Sequence, residues 1–326
     1  MMLNNYFIGM DIGGTNIRIA LMKHTGEKIG TIFRFSFKRA HSAIDEIEEN
    51  IYLPVIHFLE MRGINLNQLW GIGISLAALF NRENGQITKW PNNRLWDSFP
   101  LRSYLEERFQ IPVIMEDDAN SAALGEHLLG AGRGFSDFAY LTIGTGIGCG
   151  MILNDNLYLG SRGVAGEIGH IRVVEDGPLC TCGTTGCLQA LVSGPALYKK
   201  YINSVSPLGF ETDQIKDFNK VAELAQNGDE VAIQIFEYAG QYLSWMLSNL
   251  VMLLDIPLIV IGGGVARAGE ILLSPIRSGL DLYMEQFKRD VLVNAADLGD
   301  DSGVIGALNL VYQRYNHNDM KRWEDR

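Results

Sequence analysis

The chain has 326 residues, 47% hydrophobic and 20% charged, enough apolar material for two packed lobes and too much for a disordered chain. Its net charge of −11 disfavours a surface for nucleic acid or an anionic membrane, so any phosphate ligand must be met by local donors or a metal. The opening MMLNNYFIGMD lacks the basic-then-apolar pattern of a secretion signal, which predicts a cytoplasmic protein.

Taken in chain order, Tyr6–Asp11, Asn16–Met22 and Lys28–Phe35 read as strands separated by turns at Gly13-Gly14 and Thr25-Gly26. His41 to Met61 has helical spacing, interrupted at Pro54. Leu69–Leu76 is a fourth strand, Leu101–Phe109 a short helix and Val113–Met115 a buried strand. That strand leads into EDDANSAALGEHLLGAG, where the period changes from two to 3.6. A second round follows. Phe138–Gly144 and Ile147–Leu153 are strands around IGTGIGCG. Helices are predicted at about 194–202, 216–227 and 230–255. The last of these contains the most apolar long stretch, Tyr238 to Leu254, whose polar residues Gln241, Ser244, Ser248 and Asn249 favour a buried helix over a membrane span. Leu258–Ile261 is a strand, Leu292–Asn294 another, and Gly303–Tyr315 the last helix. A hairpin-rich α/β pattern with a glycine turn thus occurs twice, which predicts two related lobes with a cleft between them.

Five short stretches carry chemistry. In DIGGT, Gly13 and Gly14 can take positive φ and let a phosphate approach backbone N–H groups beside Thr15, while Asp11 can hold a hydrated Mg²⁺; an ordinary hairpin turn is the plainer reading. IGTGIGCG offers a second open loop at Gly144, Thr145 and Gly146. IVIGGGV runs a strand into Gly262, Gly263 and Gly264, suited to a nucleoside resting on backbone, or to tight packing. In MEDDAN, Asp117 and Asp118 sit where a strand meets a helix and face opposite ways, so one can act on a ligand while the other caps the helix. Finally, Cys180, Cys182 and Cys187 with His170 form a Cys₃His set that suits structural, tetrahedral Zn²⁺. Glu167 lies three residues before His170, on the same face of a helical turn. The fourth cysteine, Cys149, reads as a small packed residue.

DIGGT, DDAN, GTGIG, GVAGEIGH, CTCGTTGC and IGGGV, from Asp11 to Leu308, together resemble the sugar-kinase branch of the "repressor, open reading frame, kinase" (ROK) family in order and spacing. The resemblance implies a two-lobed actin-like ATPase fold, ribonuclease H-like. Residues 1–118 would form a small lobe joined by a C-terminal helix at about 304–318, and residues 119–303 a large lobe with a zinc loop at 166–189. It implies transfer of the γ-phosphoryl group of ATP, with Mg²⁺, to a hexose hydroxyl, usually that on C6. Asp118 would be the base, Glu167 and His170 would grip hydroxyls near the anomeric carbon, and Asn92 in WPNNRLW would lie near the sugar. A homodimer is implied as well.

Three positions depart from the family pattern. Asp117 stands where Asn is usual, Gln189 where Glu is usual, and SLAALF (Ser75–Phe80) lacks a glycine-proline turn. The first two exchange an acid and an amide at sugar-contacting positions, which suggests a coupled pair that alters hydroxyl preference. Glucose is the first expectation, with allose, mannose, fructose or an N-acetylhexosamine behind it. A sugar-responsive transcriptional regulator of the same family is disfavoured, because Asp11 already belongs to the first nucleotide motif and leaves no room for a DNA-binding extension. An actin-like ATPase acting on a partner protein is disfavoured by Glu167, His170 and the cysteine clip.

Overall fold

The computed structural model describes residues 6–91, 93–208 and 217–316. The chain divides at Leu129/Gly130 and again at Asp300/Asp301 into two compact units, the first containing both ends of the chain.

The first unit holds β1 (Tyr6–Ile12), β2 (Asn16–Lys23), β3 (Lys28–Ser36), α1 (Ala43–Ile47), α2 (Leu53–Glu60), β4 (Leu69–Leu76), β5 (Leu79–Phe80), β6 (Ile87–Lys89), α3 (Leu101–Phe109), β7 (Val113–Glu116), α4 (Asp118–Leu129) and the C-terminal helix Ser302–Asn316. Its five-stranded sheet runs β3-β2-β1-β4-β7. The β1–β2 and β2–β3 pairs are antiparallel, whereas β1–β4 and β4–β7 are parallel. Every residue of β4 is buried, as expected for a strand covered on both faces. Gly9 and Gly73 are register partners on β1 and β4, and the backbone of the C-terminal helix at Val304 and Ala307 lies directly on them. A Cβ at either glycine would collide with that helix, so the pair sets how closely it can lie.

The second unit holds β8 (Phe138–Ile143), β9 (Ile147–Leu153), β10 (Asn156–Leu157), α5 (Leu188–Val192), α6 (Gly194–Val205), α7 (Phe218–Gln226), α8 (Glu230–Leu254), β11 (Leu258–Gly262), α9 (Glu270–Met284) and β12 (Leu292–Ala295). Its sheet order, β10-β9-β8-β11-β12, repeats that of the first unit: an antiparallel meander followed by two parallel strands. The duplicated glycine turns therefore sit on a duplicated scaffold.

Three differences from the sequence reading have physical causes. Pro54 does not interrupt its helix: Glu48–Tyr52 forms a π-turn, and Pro54 falls in the first turn of α2, where a missing N–H is harmless. The boundary expected after Asp118 lies instead after α4, because α4 packs on the C-terminal helix. Gly125 abuts the Ser302 carbonyl, Gly306 abuts that of Ser121, and the Ser302 hydroxyl donates to the fully buried Glu126 carboxylate at 2.6 Å. Helix α9 stands where the sequence reading placed no helix; it contains Pro275, whose ring packs against Gly240 of α8, which leaves space for it.

Candidate active site

In the first unit, one polar rung crosses four strands. Ser75, Asp11, Arg18 and Arg34 are successive register partners on β4, β1, β2 and β3. Asp11 accepts from the Ser75 hydroxyl at 2.8 Å and from the Arg18 guanidinium at 3.1 Å. Asp301, just before the C-terminal helix, accepts from Arg34 at 2.5 Å and lies 3.7 Å from Arg18 Nε. The period of two puts Asp11 on the same face as Gly9, beneath the C-terminal helix, whose Gly303 is so close that a Cβ there would stand 2.8 Å from Asp11 Oδ1. Burial pushes the Asp11 carboxyl up to about 6, against the opposing pull of Ser75 and Arg18. A carboxylate so placed gains from a cation, which fits a Mg²⁺ role. The expected positive φ at Gly13 and Gly14 is not found; the turn closes through the Gly13 N–H donating to the Asn16 carbonyl at 3.0 Å, with Thr15 exposed.

At the β7–α4 junction the two aspartates separate in role. Asp117 caps α4: its Oδ1 accepts from the Asn120 N–H at 2.8 Å. Its Oδ2 lies 2.5 Å from Asn120 Nδ2 and 3.2 Å from Arg82. Arg82 also grips the buried Glu116 through two bonds of 2.5 Å. Burial, followed by the neighbouring Glu116 charge, raises the Asp117 carboxyl well above the usual range. Asp118 is the first residue of α4 and is exposed. The charge of Asp117 is thus met by Arg82 within its own unit.

Arg82 was missed by sequence reasoning. It lies on the β5–β6 hairpin, two residues beyond the Ser75–Phe80 stretch that lacks a glycine-proline turn, and its partners are 34 and 35 residues away. Glu46 was missed too. This buried carboxylate accepts from Asn93 Nδ2 at 2.5 Å and the Trp96 indole N–H at 2.9 Å, fastening the segment that contains Asn92. Asn92 itself lies outside the described residues.

In the second unit, the turn Gly144–Gly146 opens onto a cavity of about 360 Å³. Gly144, Thr145, Gly194, Pro195, Tyr198, Asp217, Phe218, Asn219, Gly264 and Val265 line it. A Cβ on Gly144 would meet nothing, so the turn leaves open space on that side. Glycine backbone at one side with Pro195, Phe218 and Val265 as apolar walls suits a nucleoside and its first phosphates. Asp217 caps α7 by accepting from the Asn219 and Lys220 N–H groups, which fixes its carboxylate at the rim. Of the IGGGV glycines, only Gly264 faces the cavity. Gly262 packs on the Tyr140 hydroxyl, and Gly263, with φ of 85°, packs on Ile143.

The Cys₃His set converges. The Sγ atoms of Cys180, Cys182 and Cys187 and a ring nitrogen of His170 all lie within 4.8 Å of one another. Cys180 Sγ is 3.5 Å from His170 Nδ1, and Cys182 Sγ is 3.7 Å from Cys187 Sγ. Tetrahedral zinc, with bonds of about 2.3 Å to sulfur and about 2.0 Å to nitrogen, requires separations of about 3.5–3.8 Å, so the residues fit the ion. Bonds from Thr184 lower the Cys182 thiol to about 6, while burial raises that of Cys187. The Glu167–His170 segment is a 3₁₀ turn, which stacks these two side chains one turn apart. Gln189, in α5, bridges two loops: its Oε1 accepts from the Ile147 N–H at 3.1 Å, and its Nε2 donates to Thr181 Oγ1 at 3.2 Å.

The ROK family model matches residues 7–314. The chain belongs to the ROK family. This ROK protein is 34% identical to a glucokinase of Halalkalibacterium halodurans over 97% of both chains. It is similar to the crystal structure of a ROK glucokinase from Streptomyces griseus in complex with glucose and AMPPNP, with a TM-score of 0.78, 33% identity, and coverage of 94% of this chain and 98% of that one. It is also 30% identical to a xylose repressor of Bacillus spizizenii, over 95% of this chain and 78% of the repressor. The fold is the two-lobed, actin-like ATPase fold, each unit carrying one copy of the same five-stranded sheet.

Proposed function

We propose that this ROK protein transfers the γ-phosphoryl group of ATP to the C6 hydroxyl of a hexose, with glucose the preferred acceptor. The observation that carries the reading is the division of labour at the β7–α4 junction: Asp117 is held by the helix and Arg82, while Asp118 stands exposed beside it. Asp118 accepts the hydroxyl proton as the sugar oxygen bonds to phosphorus and the bond from phosphorus to the β-phosphate oxygen breaks, releasing ADP. Such transfers depend on positioning and charge stabilisation more than on basicity. Glu167 and His170 bind sugar hydroxyls, together with Asn92. Gly144, Thr145 and Gly264 receive the nucleotide in the second unit, and Gly13, Gly14 and Thr15 are the first unit's candidates for binding phosphate. Asp11 would hold Mg²⁺, which would supply charge to offset the phosphates. His170, Cys180, Cys182 and Cys187 hold a structural zinc, which leaves the second nitrogen of the His170 ring for the sugar.

No described helix is long and apolar enough to cross a membrane. Allose, mannose, fructose and N-acetylhexosamines are the competing acceptors. The likeness to a xylose repressor favours one other class, a sugar-responsive regulator; the net charge of −11 weighs against DNA binding. An ADP-release assay over a hexose panel tests the kinase reading. Sugar-stimulated ADP release that vanishes in Asp118→Asn is expected; sugar-independent turnover, or none with any hexose, overturns it.

A further inference from the structure

We propose that Gln189 is a positioning residue that ties the cysteine–histidine clip to the glycine turn facing the nucleotide cavity, so that metal bound at the clip strengthens nucleotide binding. The inference rests on the kinase reading, in that it takes this cavity to be the nucleotide site.

The connection runs through short contacts inside one unit. Thr181 lies between two of the thiolate ligands, and its hydroxyl accepts from Gln189 Nε2 at 3.2 Å. The Gln189 Oε1 accepts from the Ile147 N–H at 3.1 Å. Ile147 begins β9 and directly follows Gly146. A Cβ at Gly146 would stand 2.9 Å from Gln189 Oε1, so the amide lies close against the turn and a side chain there would displace it. The Gly144 N–H donates to the Gly146 carbonyl at 2.9 Å, and the Gly144 carbonyl accepts from the Gly194 N–H at 2.8 Å. Gly144, Thr145 and Gly194 all line the cavity.

Two further contacts fix the two ends. Cys187, a member of the thiolate set, immediately precedes α5, and the Leu188 N–H donates to the Ile171 carbonyl at 2.9 Å, one residue after His170. Gly169 abuts the Ile147 carbonyl so closely that no side chain fits. The clip and the turn are therefore held against each other at Gly169 and Gln189, and the Gln189 contact is made by a side chain that can be replaced without altering the backbone. Both ends of the amide are engaged, one as donor to Thr181 and the other as acceptor from Ile147, which holds it against the turn. A metal that immobilises Cys180 and Cys182 fixes Thr181, and through it the orientation of the amide and the Ile147 N–H.

The test is calorimetric binding of AMPPNP with Mg²⁺, without sugar, to the full chain in zinc-loaded and chelator-treated forms. In the wild type, zinc removal is expected to weaken AMPPNP by about five-fold or more, the range of ordinary site–site coupling. Gln189→Met is expected to keep stoichiometric zinc by elemental analysis, to bind AMPPNP several-fold more weakly when loaded, and to lose most of the zinc dependence. Thr181→Val removes the other half of the link without touching a thiolate, so its effect in the loaded form should be non-additive with Gln189→Met. This second cycle needs no metal-free protein and stands even if chelation unfolds the chain. Wild-type AMPPNP affinity that is equal with and without zinc, zinc dependence that survives in Gln189→Met, or strictly additive effects of the two substitutions overturn the inference alone. Failure of the zinc-loaded wild type to bind AMPPNP overturns the kinase reading and the inference with it.

Discussion

The first hairpins of the two units make an instructive pair. Both join strands in sheets of the same order and sense, and both turn on glycines. Their flanks differ. In the first unit Asp11 pairs with Arg18; at the matching rung of the second, Thr142 pairs with Gly148. The first turn thus sits at the end of a charged rung that runs from Ser75 to Arg34, while the second is braced by the neutral amide of Gln189 and opens onto an apolar-walled cavity. Duplication supplied one scaffold, and the residues just outside each turn made one copy a place for charge and the other a place for shape. The proposed base follows the same division, since Asp118, Glu116 and Arg82 belong to the first unit, and the glycine-lined cavity and the cysteine clip to the second.

Four substitutions probe that contrast. Asp118→Asn should cost the most: removing a general base lowers kcat by about 10²–10⁴-fold, while sugar binding measured by calorimetry stays within a few-fold of wild type. Substantial residual kcat would show that the charged unit does not supply the base. Arg82→Met strips the counter-charge from the buried Glu116 and its neighbour Asp117, and should destabilise the protein by about 3 kcal/mol in urea unfolding, as expected for breaking a buried ion pair. A loss below 1 kcal/mol would mean the network is no more than a surface pair.

Asp11→Asn carries a pH signature. The folded carboxyl titrates near 6 against an ordinary 3.8, so the folded state holds the extra proton between those values, and wild-type stability falls as pH rises through that window. The asparagine variant lacks this fall. Its stability relative to wild type should rise by about 2–3 kcal/mol between pH 4 and pH 7, even as KM for Mg·ATP worsens. A difference that is flat with pH would remove burial as the dominant influence on Asp11. Cys182→Ser should have the smallest effect on the first unit. Stoichiometric zinc is lost and thermal unfolding shifts down by a few degrees, since metal binding couples to local folding, but proteolytic protection of the first unit is unchanged. Intact zinc content would show that the ligands are not these.

Much of this division could be read from the sequence, where the cause was local. Ile147–Leu153 is legible because its run is bounded by Gly146 and Asn154-Asp155, and Leu69–Leu76 and Leu101–Phe109 because their own apolar or periodic runs mark them. The Cys₃His cluster was legible because its four members lie within 18 residues of sequence, from His170 to Cys187. What escaped depends on partners far apart in the chain. Pro275 argues against a helix until Gly240 of α8 is seen to make room for it. Arg82 is an unremarkable loop cation until folding brings it to Glu116. The paired departures at Asp117 and Gln189 suggested a mutual exchange, yet each has its own local partners: Arg82 and Asn120 for one, Ile147 and Thr181 for the other.

The return of the C-terminal helix to the first unit has a consequence for synthesis. Gly9 and Gly73 offer a trough of backbone on which Val304 and Ala307 of the C-terminal helix lie, and that helix is made after the whole second unit. The second unit is one continuous stretch, 130–300, and can close while still on the ribosome; the first must wait, half-covered, until about 170 intervening residues have been made. A nascent chain stalled near residue 300 would therefore hold a finished second unit beside an unfinished sheet, the state in which chaperones would be needed most.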